Sequence, residues 1–212
     1  ALRLAPNLQV AANDSSTYAI SARGFNHSTS TANKLQVLVD GRTVYTPLFS
    51  GVFWDVQNVF MEDLDRIEVI SGPGGTLWGA NAVNGVINVT SRAASETQGG
   101  FLTVGGGTAF TSLRARYGGG LGPGGAWRVY ALYDQRGPSA RPSGLEAFDQ
   151  NDILQGGFRA DWGTGRDGFT LQGDVYAGSA ERAPSAAVAP TVSGGNLLGR
   201  WTRTASGGRN AR

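Results

Sequence analysis

Ile153-Leu154-Gln155-Gly156-Gly157-Phe158-Arg159-Ala160-Asp161-Trp162 alternates apolar and polar side chains along its length. Leu154, Gly156, Phe158, Ala160 and Trp162 fall on one side, and Gln155, Arg159 and Asp161 share the other with Ile153. A period of two is the signature of a β-strand, whose successive side chains point to opposite faces. The pattern returns in 169–177, where Phe169, Leu171, Gly173, Val175 and Ala177 oppose Thr170, Gln172, Asp174 and Tyr176. In 127–133, Trp127, Val129, Ala131 and Tyr133 oppose Arg128, Tyr130 and Leu132. Weaker copies occupy 100–106, 111–117 and 196–201. About six candidate strands result, each near the length that crosses a bilayer when tilted.

Alternation alone describes a soluble antiparallel sheet with one wet face equally well. Two further features favour a membrane. The apolar faces begin or end with Trp127, Tyr133, Trp162, Phe169 and Trp201, as an interfacial aromatic girdle requires. The intervening connections, near 107–110, 118–126, 137–151, 163–166 and 180–194, alternate short and long after the first pair, as periplasmic turns and outer loops do. Six strands fall short of the usual minimum of about eight for a closed membrane barrel, and an open edge in lipid leaves backbone groups unpaired. The expectation is therefore a truncated barrel, continued beyond residue 212.

Composition excludes other classes. With no Cys, disulfide frameworks, thiolate metal sites and thiol nucleophiles are ruled out, and a single His, His27, cannot build a histidine metal cluster. A net charge of +2, with Lys34 the sole lysine, lacks the dense basic patch of a nucleic-acid footprint. No run approaches the ~18 apolar residues of a membrane helix, and the N-terminus lacks the pattern of a signal peptide. Of the 33 glycines, 8 lie in residues 1–98 and the other 25 follow. This shift, with the small polar stretch Arg92-Ala93-Ala94-Ser95-Glu96-Thr97-Gln98, predicts a first domain over 1–92, a linker over 93–98 and barrel strands over 99–212.

The first domain is mixed α+β. Leu35–Val39, Asp40-Gly41 and Arg42–Tyr45 predict a hairpin, because Asp-Gly supplies the positive φ angles of a type I′ turn. Glu62–Asp65 predicts a helical turn entering the strand Arg66–Ile70. A Gly-rich turn and short helix over Ser71–Gly79 and a strand over Gly85–Thr90 follow. That turn is no phosphate cradle, since the Lys and Ser or Thr of a P-loop do not follow its last Gly. No Ser-His-Asp set can be argued from the lone His27, so the chain is expected not to be an enzyme.

Four blocks of this domain resemble the plug of TonB-dependent outer-membrane receptors: Ile20–Phe25, Val37–Arg42, Asp65–Pro73 and Thr76–Thr90, in matching order and spacing. Ser71 stands where family members often carry Arg. The resemblance implies an α+β plug domain, N-terminally incomplete, followed by the beginning of an antiparallel transmembrane β-barrel. It implies an outer-membrane receptor of a Gram-negative bacterium, opened by the inner-membrane protein TonB through a contact box that this chain lacks. The expected ligand is a small molecule or metal chelate such as an iron–siderophore complex. Cobalamin, haem or carbohydrate receptors of the same architecture, and a passive porin-like channel, are the alternatives. No cofactor and no nucleic acid are implied; outer-membrane lipid is.

The same resemblance makes Arg23 and Glu68 candidates for locking plug to barrel, against ordinary roles as a solvated turn residue and a strand-edge carboxylate. Phe25, Asn26, His27, Tyr45 and Trp54 are the ligand-facing candidates, against simple packing for the aromatics and a polar loop role for His27. Gly24, Gly41, Gly72, Gly79 and Gly85 are expected to serve backbone geometry.

Overall fold

The computed structural model describes residues 2–22, 34–46, 51–180, 191–204 and 210–211, and the chain divides into two compact units, Ala1–Ser91 and Arg92–Arg212. The first unit opens with an antiparallel hairpin, β1 (Leu8–Ala12) and β2 (Tyr18–Ala22), that sequence patterning did not bring out. Its turn is closed by Asp14. The Asp14 Oδ1 accepts the N–H groups of Ser16 (2.9 Å) and Thr17 (2.6 Å), and Oδ2 accepts the Thr17 hydroxyl (2.6 Å).

A four-stranded sheet follows, formed by β3 (Leu35–Val39), β4 (Arg42–Thr43), β5 (Leu64–Ser71) and β6 (Gly85–Ser91) in the order β4-β3-β6-β5. β3 and β6 pair in parallel at its centre, Val37 opposite Ile87. Central strands covered on both faces read as nearly continuous apolar runs, and Leu35, Val37, Ile87 and Val89 join Ile20, Ala22, Val44 and Val52 in the core. At the edge, β5 carries Asp65, Arg66 and Glu68, charges that discourage a further strand from pairing there. Gly85, opposite Ser71 on β5, leaves no room for a side chain: a Cβ there would lie 2.7 Å from the Ile70 carbonyl oxygen.

The Asp-Gly turn forms as expected, Asp40 at φ 51° and Gly41 at φ 81°, both in the left-handed region that a type I′ turn requires. The helical turn before β5 is a 3-10 turn over Met61–Asp63, starting one residue and ending two residues earlier than expected, with Leu64 and Asp65 already in β5. The short helix α1 covers Gly75–Trp78.

The second unit is one antiparallel meander: β7 (Gly99–Gly106), β8 (Phe110–Gly120), β9 (Gly125–Arg136), β10 (Asn151–Thr164), β11 (Asp167–Ala180), β12 (Thr191–Thr204) and the two-residue β13 (Asn210–Ala211), each paired with its chain neighbour. All six expected strands are present, most of them longer than the alternation suggested. Gly118, Gly119 and Gly120 have no side chains to alternate, yet pair with Arg128, Trp127 and Ala126. The connection read as 118–126 thus shrinks to 121–124, and that at 163–166 to residues 165–166. No helix among the described residues is long and apolar enough to cross a membrane.

The polarity of this sheet is inverted relative to a soluble one. Its apolar face lies open, with Val129 45%, Leu154 57%, Val175 68% and Leu197 70% exposed. These side chains occupy a continuous outward band through the registers Val129–Phe158, Phe158–Gly173 and Gly173–Leu197. At one end of the band Trp162, Phe169 and Trp201 are successive cross-strand neighbours, Trp162 stacking on Phe169 with ring centroids 5.7 Å apart. Water gives no reason to expose such a band; lipid does.

Candidate functional site

Of the residues singled out by sequence, Arg23, Gly24, Phe25, Asn26 and His27 lie outside the described residues. Tyr45 is half-buried just after β4, beside an antiparallel bridge between Thr46 and Gly51. Trp54 is half-buried against the core of the first unit, in a 3-10 turn over Trp54–Val56. Phe53 beside it is 41% exposed. Gly72 and Gly79 flank α1 with φ of 101° and 99°.

Glu68 belongs to a polar cluster within the first unit. Its Oε2 accepts the Asn88 Nδ2–H at 2.7 Å and its Oε1 lies 3.2 Å from Arg66 Nε. The Asn88 hydrogen bond first, then that of Arg66, holds its carboxyl below the usual carboxylate range. Arg66 also pairs with Asp65. Ser71 is exposed and its hydroxyl accepts the Asn7 Nδ2–H at 3.0 Å.

Two arrangements were invisible to sequence patterning. In the first unit, buried Asp40 takes both hydrogen-bonding groups of Ser91: Oδ1 accepts its N–H and Oδ2 its hydroxyl, each at 2.8 Å. The turn residue thereby fastens the last residue of β6, fifty-one positions away. In the second unit, residues read as a linker form a 3-10 turn, Ala94–Glu96, lying on the polar face of the sheet with Ala94 and Thr97 fully buried. Asp161 accepts the Ala94 N–H at 2.7 Å, and Arg128 donates to the Arg92 carbonyl at 2.7 Å and to the Thr97 hydroxyl at 3.0 Å.

Elsewhere on the polar face, side chains of neighbouring strands pair with one another. Arg114 meets Asp134 at 3.2 Å, Gln155 donates to the Tyr130 hydroxyl at 2.9 Å, and Asn196 donates to Asp174 at 2.8 Å. These side chains line a surface that is wet or covered by polar groups, the opposite of the band on the other side. No group of three or more metal-ligating side chains occurs among the described residues.

Residues 1–86 match the family model described as the TonB-dependent receptor plug domain. Two curated relatives are vitamin B12 transporters. That of Vibrio vulnificus (strain CMCP6) is 30% identical over 109 residues, 50% of this chain and 17% of the relative. That of Vibrio cholerae serotype O1 (strain M66-2) is 30% identical over 132 residues, 61% of this chain and 21% of the relative. This chain thus spans about a fifth of the length of the curated relatives it matches. Among solved structures, the copper transporter OprC superposes with a TM-score of 0.71 at 20% identity, over 96% of this chain and 31% of that one. A Pseudomonas aeruginosa FpvA–pyoverdine–iron complex gives 0.72 at 16% identity, over 96% and 29%. At these identities the structures show the fold, a plug followed by antiparallel barrel strands.

Proposed function

From the premise that residues 1–86 are the plug of a TonB-dependent receptor, we propose that the chain serves a gated outer-membrane receptor of a Gram-negative bacterium. Such a receptor takes up a scarce ligand with energy supplied by TonB. The observation that carries this reading is the succession of a folded α+β unit and a sheet with its apolar band facing outward. A porin-like channel would gain nothing from a separate unit ahead of its strands, and a soluble module would not expose Trp162, Phe169 and Trp201 in one row.

An iron–siderophore complex is the ligand class first expected from the resemblance. The vitamin B12 transporters among the relatives put a cobalamin beside it. Arg23 remains the candidate for holding plug to barrel. Glu68 has its partners within the plug and fits a local role in positioning β5 against β6.

The test is uptake by cells that depend on the intact receptor, using labelled cobalamin and a panel of ferric siderophores, with and without TonB. Saturable uptake of one ligand that disappears without TonB is expected. Unselective, unsaturable uptake indifferent to TonB would establish the passive channel instead.

A further inference from the structure

The turn at residues 92–98 is held at both of its polar ends by two strands of the sheet. Arg128 on β9 is 5% exposed and reaches three oxygens of this strap: the carbonyls of Arg92 (2.7 Å) and Ala93 (3.4 Å) and the hydroxyl of Thr97 (3.0 Å). A buried guanidinium must have such partners, since its desolvation is otherwise uncompensated. Directly across the ladder from Arg128 stands Arg159, a like charge. Asp161 answers both needs. Its Oδ2 lies 2.8 Å from Arg159 Nε and also accepts the Ala94 N–H at 2.7 Å, while Oδ1 accepts the Thr170 hydroxyl at 2.7 Å.

Within the strap, Glu96 Oε2 accepts the Ala93 N–H at 2.8 Å, and Gln98 Nε2 donates to the Ala94 carbonyl and, at 3.4 Å, to the Trp127 carbonyl. The network therefore closes: Arg128 takes the strap's carbonyls, Asp161 takes its N–H, and Asp161 neutralises the arginine facing Arg128. It lies near the end of the sheet where Trp162, Phe169 and Trp201 form the aromatic row.

We propose that Arg128 and Asp161 moor residues 92–98 to the wall of the barrel, so that the plug's tether stays fixed during gating. The inference rests on the receptor reading for its functional meaning. Structurally it rests on the hydrogen bonds alone. On the plug side Ser91 is fastened by Asp40, and on the wall side Arg92 and Ala93 are fastened by Arg128. Each clamp lies within its own unit, Asp40 and Ser91 in the first and Arg128 and Arg92 in the second.

The test uses the full receptor purified in detergent, with hydrogen exchange read by mass spectrometry on the peptide covering 92–98. In the parent protein this peptide exchanges slowly. Asp161→Asn and Arg128→Met each speed its exchange roughly tenfold or more, while peptides from β9 and β10 keep their rates. Arg128→Lys, which keeps the charge without the fork, recovers part of the protection. Fast exchange of 92–98 in the parent, or no change in either variant, would overturn the mooring. Should Arg128→Met fail to assemble, Asp161→Asn decides alone.

A second readout, entry of a bulky antibiotic into cells carrying Asp161→Asn, addresses gating. Raised entry is expected, and unchanged entry despite fast strap exchange would overturn the gating role. Loss of TonB-dependent uptake in the parent would instead remove the receptor reading and leave the exchange result standing.

Discussion

Replacing Asp40 separates two effects that its position combines. The residue is 9% exposed, its carboxylate accepts two hydrogen bonds from Ser91, and its backbone sits at φ 51°. Hydrogen bonds to a charged group contribute about 1.5–3 kcal/mol each, and two sharing one acceptor group fall short of the full sum, so ~3 kcal/mol is a fair total. An alanine in the left-handed region adds about 1 kcal/mol of strain. Asp40→Ala should then cost ~4 kcal/mol and Asp40→Gly ~3 kcal/mol. Asp40→Asn, which tolerates the left-handed region and can bond both Ser91 groups without charge, should cost only ~1 kcal/mol. A unit of this size has a total stability of roughly 5–14 kcal/mol. Residues 1–91, expressed alone and titrated with urea, report these differences as midpoint shifts. At a slope of ~1.5 kcal/mol per molar, the Ala variant falls by close to ~3 M, if it folds at all, and the Asn variant by under ~1 M. Equal midpoints for Ala and Asn would refute the claim that the carboxylate fastens β6. Equal midpoints for Ala and Gly would remove the strain component.

The Asp14 carboxyl is pushed up by burial, but the hydrogen bonds from Thr17 and Ser16 together outweigh this and hold it below its ordinary value of 3.8. Its stabilisation is therefore complete above the ordinary value and fades as pH falls through the depressed one; Asp14→Asn should flatten the acid limb of a stability–pH curve below about pH 4, and an unchanged limb would count against the turn's role. On the lipid face, Val175→Arg should cost about 2–4 kcal/mol near the midplane and reduce assembled receptor; normal levels, measured by heat-modifiable mobility, would contradict the outward assignment. Because the chain has no Cys, Ser143→Cys in the long connection and Arg166→Cys in the two-residue turn can be probed on intact cells with an impermeant thiol reagent. Labelling at 143 alone is expected, and labelling at 166 alone would invert the topology. Arg23→Ala should raise entry of small antibiotics if Arg23 locks plug to barrel, and unchanged entry at normal protein level would reduce it to a solvated turn residue.

What sequence alone determined here is local. The Asp40-Gly41 hairpin was legible because positive φ at two successive residues is a property of the dipeptide. The outward face of β9 to β12 was legible because period two assigns every side chain to a side, and Trp162, Phe169 and Trp201 mark an end of that face wherever the strands pair. Strand ends were less legible, since Gly118–Gly120 have nothing to alternate while their backbone continues the ladder. The pairing of Asp40 with Ser91 and the docking of residues 92–98 were decided by tertiary structure. Asp161 binds a backbone N–H sixty-seven residues away, a group that nearly every residue carries and no pattern can single out. Arg128 likewise finds carbonyl oxygens of a stretch whose small polar side chains read as a spacer. Side-chain patterns reveal which face a residue occupies, but the partner of a backbone group is chosen only when the folded sheet brings that group within hydrogen-bond distance.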